Sequence, residues 1–97
     1  MKKMTFEEFR QKIISLPDDE TIWRMKCKNE DGVDYTLSFA KHRFEAEDGQ
    51  TYPFVVYSYP MTLDASIINE RVDDGWDEDI RGAWEDMLNC GLTPMKD

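Results

Sequence analysis

The side chains in this sequence that could act as catalytic groups or metal ligands are those of one histidine, two cysteines and many carboxylates. His42 is the single histidine, and a lone histidine in a strand-like segment more often packs or hydrogen-bonds than catalyses. None of the serines lies in a Gly-x-Ser-x-Gly turn, and there is no glycine-rich phosphate loop. Two cysteines and one histidine spread along the chain make a zinc site a poor expectation. The sequence therefore predicts a protein that is not an enzyme and that takes no cofactor.

A calcium site is the other metal chemistry that the acidic residues suggest. Asp77, Asp79 and Gly82 match the first, third and sixth positions of an EF-hand loop. The fifth position is then Arg81, and the twelfth is Leu88, where the motif needs a carboxylate. Because the ligands run out, no divalent-cation site is predicted.

Negative charge is concentrated in one segment near the C-terminus. The chain has a formal net charge of −9, and residues 64–86 hold nine acids and two bases, which is −7 of that total. Positions 73–79 alone hold five carboxylates and no base. This is one charge per roughly 2–4 Å, depending on whether the segment is helical or extended. Duplex DNA has a comparable linear charge density.

Two interpretations of this acidic segment remain open. Asp77, Glu78 and Asp79 suit the first turn of a helix, where carboxylates bind free amides and complement the helix dipole. Asp73 and Asp74 would instead lie at the C-terminal end of the preceding helix, where negative charge is unfavourable. The segment is therefore either a solvated acidic face or a surface that engages a basic groove on a partner protein.

The sequence also favours a cytoplasmic protein. Residues 4–8 are Met-Thr-Phe-Glu-Glu rather than the apolar run of a signal peptide, and no stretch approaches the roughly 18 apolar residues of a membrane span. For a phage-encoded protein, the compartment would be the host cytoplasm. In that reducing environment Cys27 and Cys90 are expected to be free thiols, although the sequence leaves a disulfide between them open.

Hydrophobic periodicity predicts one domain, residues 1–97, of the α+β class. A capping box formed by Thr5 and Glu8 starts a helix over residues 5–16. Three strands follow, at 21–28, about 35–45 and 52–59, and they are joined by Asp-Gly turns. Asp64 is expected to cap a short helix that carries Ile67, Ile68 and Val72, and Asp77 a second helix that ends before Gly91. The predicted fold is an N-terminal helix, a three-stranded antiparallel sheet and two C-terminal helices packed on the sheet.

Two features of the predicted strands bear on partners. Arg24, Lys26 and Lys28 share one face of the first strand, and Lys41 and Arg43 are expected on the same face of the second, which forms a basic stripe. The third predicted strand is apolar on both faces. It is therefore expected to be covered on both sides or to lie in an interface with a partner.

The order of these elements resembles that of the small acidic phage-encoded anti-CRISPR proteins that inhibit Cas9. The residues that carry the resemblance form three short motifs: Asn29-Glu30-Asp31-Gly32 followed by Tyr35, Asp74-Gly75-Trp76-Asp77, and Trp84-Glu85-Asp86-Met87. Members of that family act without catalysis, by placing carboxylates where the arginines of the effector would read the protospacer-adjacent motif. The resemblance implies that Glu30, Asp31, Asp34 and the carboxylates of residues 73–79 contact the target.

The leading functional hypothesis is a non-enzymatic acidic inhibitor that mimics nucleic acid and occupies the DNA-binding groove of a bacterial defence effector, such as a Cas9-type nuclease. Two alternatives are an immunity or antitoxin-type protein that neutralises a basic toxin, and a scaffold that self-associates through its tyrosine-rich strand. The protein would be a monomer or a homodimer and would bind neither nucleic acid nor membrane. Trp76 is a candidate aromatic anchor, and a role in the core is an equal alternative for it. The predicted partner-binding residues are Glu30, Asp31, Asp34, Asp73, Asp74, Trp76, Asp77, Glu78 and Asp79.

Overall fold

The computed structural model describes residues 2–17, 19–58, 65–69 and 75–96, and for Phe44, Ala65, Asn69, Gly75 and Trp76 it describes the backbone alone. The described residues form six strands and two helices: β1 (Lys2–Lys3), α1 (Phe6–Ile14), β2 (Trp23–Lys28), β3 (Asp34–Glu45), β4 (Thr51–Ser58), β5 (Ala65–Asn69), α2 (Gly75–Asn89) and β6 (Thr93–Lys96). The strands make one antiparallel sheet in the order β1-β6-β2-β3-β4-β5. The predicted three-stranded sheet with three helices is therefore wrong.

Helix α1 forms as its N-terminal signals predict. The Thr5 hydroxyl accepts a hydrogen bond from the Glu8 amide, and the Glu8 carboxylate accepts one from the Thr5 amide. Phe9 and Ile13, one turn apart, are fully buried. The Phe9 ring packs on Trp23 and Phe39 of the sheet, with ring centroids 6.3 and 5.7 Å away. These contacts fix α1 on one face of the sheet, which we call the helix face.

The β2–β3 hairpin also follows the sequence prediction. Alternate residues of its two strands meet on the helix face, where Met25 lies opposite Leu37 and both are buried. In the turn, the Asn29 side chain accepts hydrogen bonds from two backbone amides. Gly32 takes a φ of 79°, which L-residues with a side chain rarely adopt. Local turn chemistry therefore sets the register that buries the apolar face of each strand.

The segment with the largest difference from the prediction is β5, which was expected to be a helix capped by Asp64. Val72 and Asp64 lie outside the described residues, but Ile67 and Ile68 lie in a strand paired with β4. Ile68, opposite Val55, is fully buried on the helix face, whereas Ile67 is 56% exposed on the other face. Two adjacent β-branched residues satisfy a strand as well as a helix. Pairing with β4, which no local pattern encodes, decides between them.

The second missed strand, β6, follows directly from the end of α2. Gly91 has a φ of 79° and stands just after the helix, as predicted. The Gly91 amide donates to the Leu88 carbonyl and the Leu92 amide to the Met87 carbonyl, which together form a Schellman motif. This turn reverses the direction of the chain after α2. Leu92 and Pro94 are consequently buried, and β6 pairs with β1 and β2. A four-residue strand containing a proline carries almost no periodic signal.

The basic stripe is split between the two faces of the sheet, contrary to the prediction. Arg24 lies opposite Ser38, on the face that neither helix covers, which we call the open face. Lys41 lies opposite Val55 on the helix face, and Arg43 shares its parity. The error is one of register, because odd-numbered residues of β3 face the helices and even-numbered residues of β2 face away from them. The Lys41 side chain is buried and donates to the carbonyl oxygen of Ile14 at the end of α1.

Candidate protein-binding surface

Helix α2 has one buried side and one acidic side. Ile80, Ala83 and Met87 are buried against the core. At 100° per residue, positions 78, 82 and 85 fall on the opposite side of the helix, and Asp86 lies beside them. Glu78, Glu85 and Asp86 are all exposed. We call the surface formed by Glu78, Gly82, Glu85 and Asp86 the acidic ridge.

Two bases lie beside the acidic ridge and contact other residues, and one of them, Arg81, also lines the groove between Glu78 and Glu85. Arg81, the single base within α2, stacks over the Phe6 ring of α1 with its guanidinium carbon 4.1 Å from the ring centroid. Arg10 of α1 donates from Nε to Asp77 Oδ1 at 2.7 Å, and this hydrogen bond raises the pKa of the Arg10 guanidinium. Asp77 therefore ties α2 to α1, and its charge is partly compensated.

The ridge carboxylates have no such structural role. Within the described part of the chain, Glu78, Glu85 and Asp86 make no side-chain hydrogen bond and no ion pair. Asp79 differs from them, since it is half-buried and engaged in an interaction of its own. Three carboxylates on one helix side are thus available to a partner without breaking a contact within the described fold.

Gly82 leaves a notch in the middle of the acidic ridge. A Cβ atom built on Gly82 would have no heavy atom within 4 Å, so packing within the described residues does not require a glycine here. A glycine inside a helix costs about 0.5–1 kcal/mol relative to alanine. A shallow groove of about 560 Å³ lies over this position, lined by Asp77, Glu78, Arg81, Gly82 and Glu85. The notch lets another chain approach the helix backbone between two carboxylates.

The hairpin carboxylates lie at the other end of α2. Glu30 and Asp31 line a shallow depression together with residues 89–92 at the helix C-terminus. From Asp77 to Asn89 the helix rises by about 18 Å, at roughly 1.5 Å per residue. The structure therefore does not bring Glu30 and Asp31 next to the acids of the first turn of α2. It places them at the opposite end of a single acidic helix.

Asp34 does not belong to this surface. It starts β3 on the open face of the sheet, where its Oδ1 accepts a hydrogen bond from Lys28 Nζ at 2.8 Å. This hydrogen bond and the positive charge of Lys28 lower the pKa of the Asp34 carboxyl group. Asp34 is consequently a partner for the basic stripe of its own sheet rather than part of the acidic ridge.

The remaining predicted contact residues lie partly or wholly outside the described residues. Asp73 and Asp74 precede α2 there, and Trp76 is described only by its helical backbone. Sequence reasoning missed three members of the ridge, namely Gly82, Glu85 and Asp86. For Glu85 and Asp86 the signal was the seven-residue spacing from Glu78 to Glu85 and from Asp79 to Asp86, which places the two members of each pair on the same side of a helix.

The remaining residues with reactive side chains are His42 and the two cysteines. His42 Nδ1 lies 3.0 Å from Glu20 Oε1, and the imidazole stacks on Phe54 with centroids 5.3 Å apart. Both cysteines are free thiols in the structure; Cys90 is exposed, and burial raises the pKa of the Cys27 thiol to about 11. Among the described residues, no three His, Cys, Asp or Glu side chains are placed to hold a metal ion.

Comparisons with protein-family models, with curated proteins and with solved structures give no match to this chain. The element order behind the anti-CRISPR resemblance was a helix, three strands and two helices, and the structure has a different order. Within the described residues, no helix has the length and apolar character needed to cross a membrane.

Proposed function

We propose that this protein is a non-enzymatic binding protein whose acidic ridge occupies a basic, nucleic-acid-binding groove of a partner protein, such as the DNA channel of a Cas9-type defence nuclease. The observation that carries the proposal is the set of three exposed carboxylates, Glu78, Glu85 and Asp86, on either side of the Gly82 notch. None of the three has a partner within the described fold.

The spacing of these charges supports a role as a nucleic-acid mimic. Glu78 and Glu85 are seven residues apart, which is about 10 Å along the helix axis. Phosphates of one DNA strand follow one another at about 3.4 Å of axial rise, so this pair covers about three phosphate steps. Lysines and arginines that line a nucleic-acid groove would meet carboxylates at comparable positions, with Glu30 and Asp31 extending the acidic surface toward the helix C-terminus.

The Gly82 notch supports close contact between a partner protein and helix α2, in addition to long-range attraction between opposite charges. An exposed glycine in a helix interior lowers stability and is not required by any packing contact in the described residues. A partner side chain that inserts between Glu78 and Glu85 would reach the helix backbone there. A long arginine or lysine from a partner would place its stem against the glycine and its charge between Glu78 and Glu85, beside Arg81, which lines the same groove.

The experiment compares two variants with the same net charge. The ridge variant carries Glu78→Lys and Glu85→Lys. The turn variant carries Glu45→Lys and Glu47→Lys, at the end of β3 and in the turn that follows. Each variant changes the formal net charge from −9 to −5. All four positions are exposed. Each protein is added to a guide-loaded Cas9-type nuclease before its target duplex, and both binding of the protein and cleavage of the DNA are measured at low and at high salt.

The proposal expects the wild-type protein and the turn variant to bind and to block cleavage, and the ridge variant to lose both effects. Added duplex and high salt should each displace the bound protein, because both compete for the same basic groove. Equal inhibition by the two variants, or binding that duplex does not displace, would contradict the proposed surface. If the nuclease does not bind, capture from a bacterial lysate with elution by duplex DNA tests other basic targets. Recovery of a toxin that DNA does not displace would favour the antitoxin alternative.

The self-association alternative would have to use a surface other than an edge of the tyrosine-rich strand. The tyrosine-rich strand, β4, is paired with β3 on one side and with β5 on the other. It therefore has no free edge along residues 54–58, where both ladders run. Val55 and Tyr57 of β4 are buried under the helices, whereas Phe54 and Val56 are half-buried on the open face.

A further inference from the structure

The open face of β3, β4 and β5 has no charged side chain in its central part. We call this part the open-face patch; the strand pairing places in it Ser38, Ala40 and His42 of β3, Tyr52, Phe54, Val56 and Ser58 of β4, and Ile67 of β5. In a chain of which 34% of the residues are Asp, Glu, Lys or Arg, none of these eight positions holds one of those types. Depletion of charge is typical of the centre of a protein interface.

A row of three apolar residues crosses the open-face patch at right angles to the strands. Ala40 of β3 lies opposite Val56 of β4, and Val56 lies opposite Ile67 of β5. Ile67 is 56% exposed, whereas Ala40 and Val56 are half-buried. The row therefore has its largest exposed side chain at the β5 end.

The β3 end of the same row is a depression in the surface. It has a volume of about 200 Å³, and its lining includes small residues, Ser38, Ala40 and Ser58, and larger ones, Ile22, His42 and Val56. Ile22 is itself 48% exposed. The depression is thus bordered by apolar surface and leaves space above Ala40 for a side chain from another molecule.

The projecting end and the depressed end of the row are arranged symmetrically about Val56. Ala40 and Ile67 each lie one strand away from Val56, which is about 4.8 Å in a sheet. A second copy rotated by 180° about an axis along β4 would place its Ile67 over Ala40 of the first copy. The same rotation would place its Ala40 under Ile67 of the first copy. The open-face patch is therefore complementary to itself, as a two-fold dimer requires.

The distribution of charge favours the same arrangement. Each copy has a net charge of −9, so two copies repel each other and an uncharged surface is the least costly place for contact. Arg24 and Lys26 stay outside the overlap, because β2 lies two strands from β4 and β5 of the second copy reaches only one strand from it. The acidic ridge lies on the helix side of the sheet and remains exposed.

We infer that a second copy of this chain packs on the open-face patch and forms a two-fold dimer with the two sheets face to face. Ile67 of each copy occupies the depression at Ala40 of the other, at the separation of about 10 Å that is usual for stacked sheets. Three strands by about five residues overlap, roughly 14 Å by 17 Å. Because this is a small interface, we expect a dissociation constant of about 10–500 µM. No ridge residue takes part, so this inference does not depend on the proposed function.

Sedimentation equilibrium of the intact protein, from micromolar to millimolar concentration, measures the dimer. The average mass should rise from that of one chain toward that of two. Added salt should strengthen the dimer, because salt screens the repulsion between the two acidic copies. Binding through the acidic ridge should instead weaken with salt, so the failure of one proposal is distinguishable from the failure of the other.

Paired substitutions test which residues meet. Ile67→Lys and, separately, Ala40→Glu should each weaken the dimer at least about tenfold, because each places a charge in the apolar contact. An equal mixture of the two variants should associate again, since the introduced opposite charges then meet at one contact and the other contact is unchanged. Val33→Lys is the control, because Val33 is 51% exposed in the β2–β3 turn, and it should leave the affinity within about twofold. Circular dichroism checks that each variant is folded.

A second measurement needs no substitution. In a mixture of isotope-labelled and unlabelled wild-type protein at millimolar concentration, filtered NOE spectra report only contacts between copies. They should show contacts between the methyl groups of Ala40 and Ile67. Within one chain these two residues are two strands apart, about 10 Å, which is too far for an NOE.

Several results would overturn the inference. A protein that stays monomeric at millimolar concentration and high salt would exclude a second copy as the occupant. Equal weakening by Ile67→Lys and Val33→Lys, or a mixture that does not regain association, would contradict the two-fold contact. NOEs from Ile67 to Ile67 without any to Ala40 would indicate pairing of two β5 edges. A dimer that salt dissociates, with contacts at α2, would place self-association at the acidic ridge.

Discussion

The Nζ atom of Lys41 lies 3.0 Å from the carbonyl oxygen of Ile14, the last residue of α1. Lys41 is 8% exposed, and its stem crosses the helix face of the sheet to reach this carbonyl. Carbonyls in the last turn of a helix have no partner within the helix, and a cation there also complements the helix dipole. The contact thus fixes the C-terminal end of α1 to β3.

Replacing this buried amine tests its structural role. Lys41→Met keeps most of the side-chain volume but removes the donor to Ile14, so the free energy of unfolding should fall by about 1–3 kcal/mol. Urea unfolding followed by circular dichroism measures the change. Lys26→Met, on the exposed side of β2, is the control and should change stability by about 0.5 kcal/mol or less. Equal effects of the two substitutions would mean that the Lys41 contact contributes nothing specific.

The strand assignment of β5 predicts different effects at two neighbouring isoleucines. Ile68 is fully buried opposite Val55, so Ile68→Ala should lower the free energy of unfolding by about 2–5 kcal/mol. Ile67 is 56% exposed on the open face, and Ile67→Ala should cost about 1 kcal/mol or less. The measurement is again urea unfolding. Similar large losses for both variants would instead support the helix in which both side chains point inward.

The notch in the acidic ridge predicts a gain in stability when it is filled. Gly82→Ala should raise the free energy of unfolding by about 0.5–1 kcal/mol, because its Cβ would meet open space and the helix would gain a better helix former. Gly91→Ala is the contrasting variant. Its φ of 79° is unfavourable for alanine by about 1–2 kcal/mol, and its Cβ would lie 3.2 Å from Glu30 Oε1. Thermal unfolding would contradict this account if both variants shifted the midpoint in the same direction.

The Glu8 carboxylate predicts how stability changes in acid. Its hydrogen bond with Lys96, together with that from the Thr5 amide, lowers the pKa of Glu8 from 4.5 to about 2. Because the pKa is lower in the folded state than in the unfolded state, this stabilisation is fully present above about pH 4.5 and is lost as the pH falls toward about 2.

Glu8→Gln should therefore lower stability at neutral pH and make the loss of stability on acidification shallower than in the wild-type protein. Urea midpoints collected across the acid range measure both effects. Glu47→Gln, at the exposed β3–β4 turn, serves as the control and should leave the acid profile unchanged. An unchanged profile for Glu8→Gln would show that the Lys96 pair does not stabilise the fold.

The elements that form through local chemistry could be predicted from the order of the residues. The capping box of Thr5 and Glu8 began α1, the Asn29 turn with Gly32 set the β2–β3 hairpin, and Gly91 ended α2. In each case the signal and the structure it specifies lie within a few residues of each other, so backbone conformation and nearby hydrogen bonds suffice. The acidic character of α2 was also visible, because charge and helical spacing are properties of the sequence.

Features that depend on pairing between distant segments could not be predicted in this way. The local sequence around Ile67 and Ile68 is compatible with a helix or a strand, and pairing with β4 selects the strand. Residues 93–96 form a strand because the turn at Gly91 places them beside β2. The same pairing put Lys41 under α1 and Arg24 on the open face, because a shift of one residue in parity exchanges the faces of a strand. It also separated Glu30 from Asp77 by the length of α2, a distance that no local pattern records.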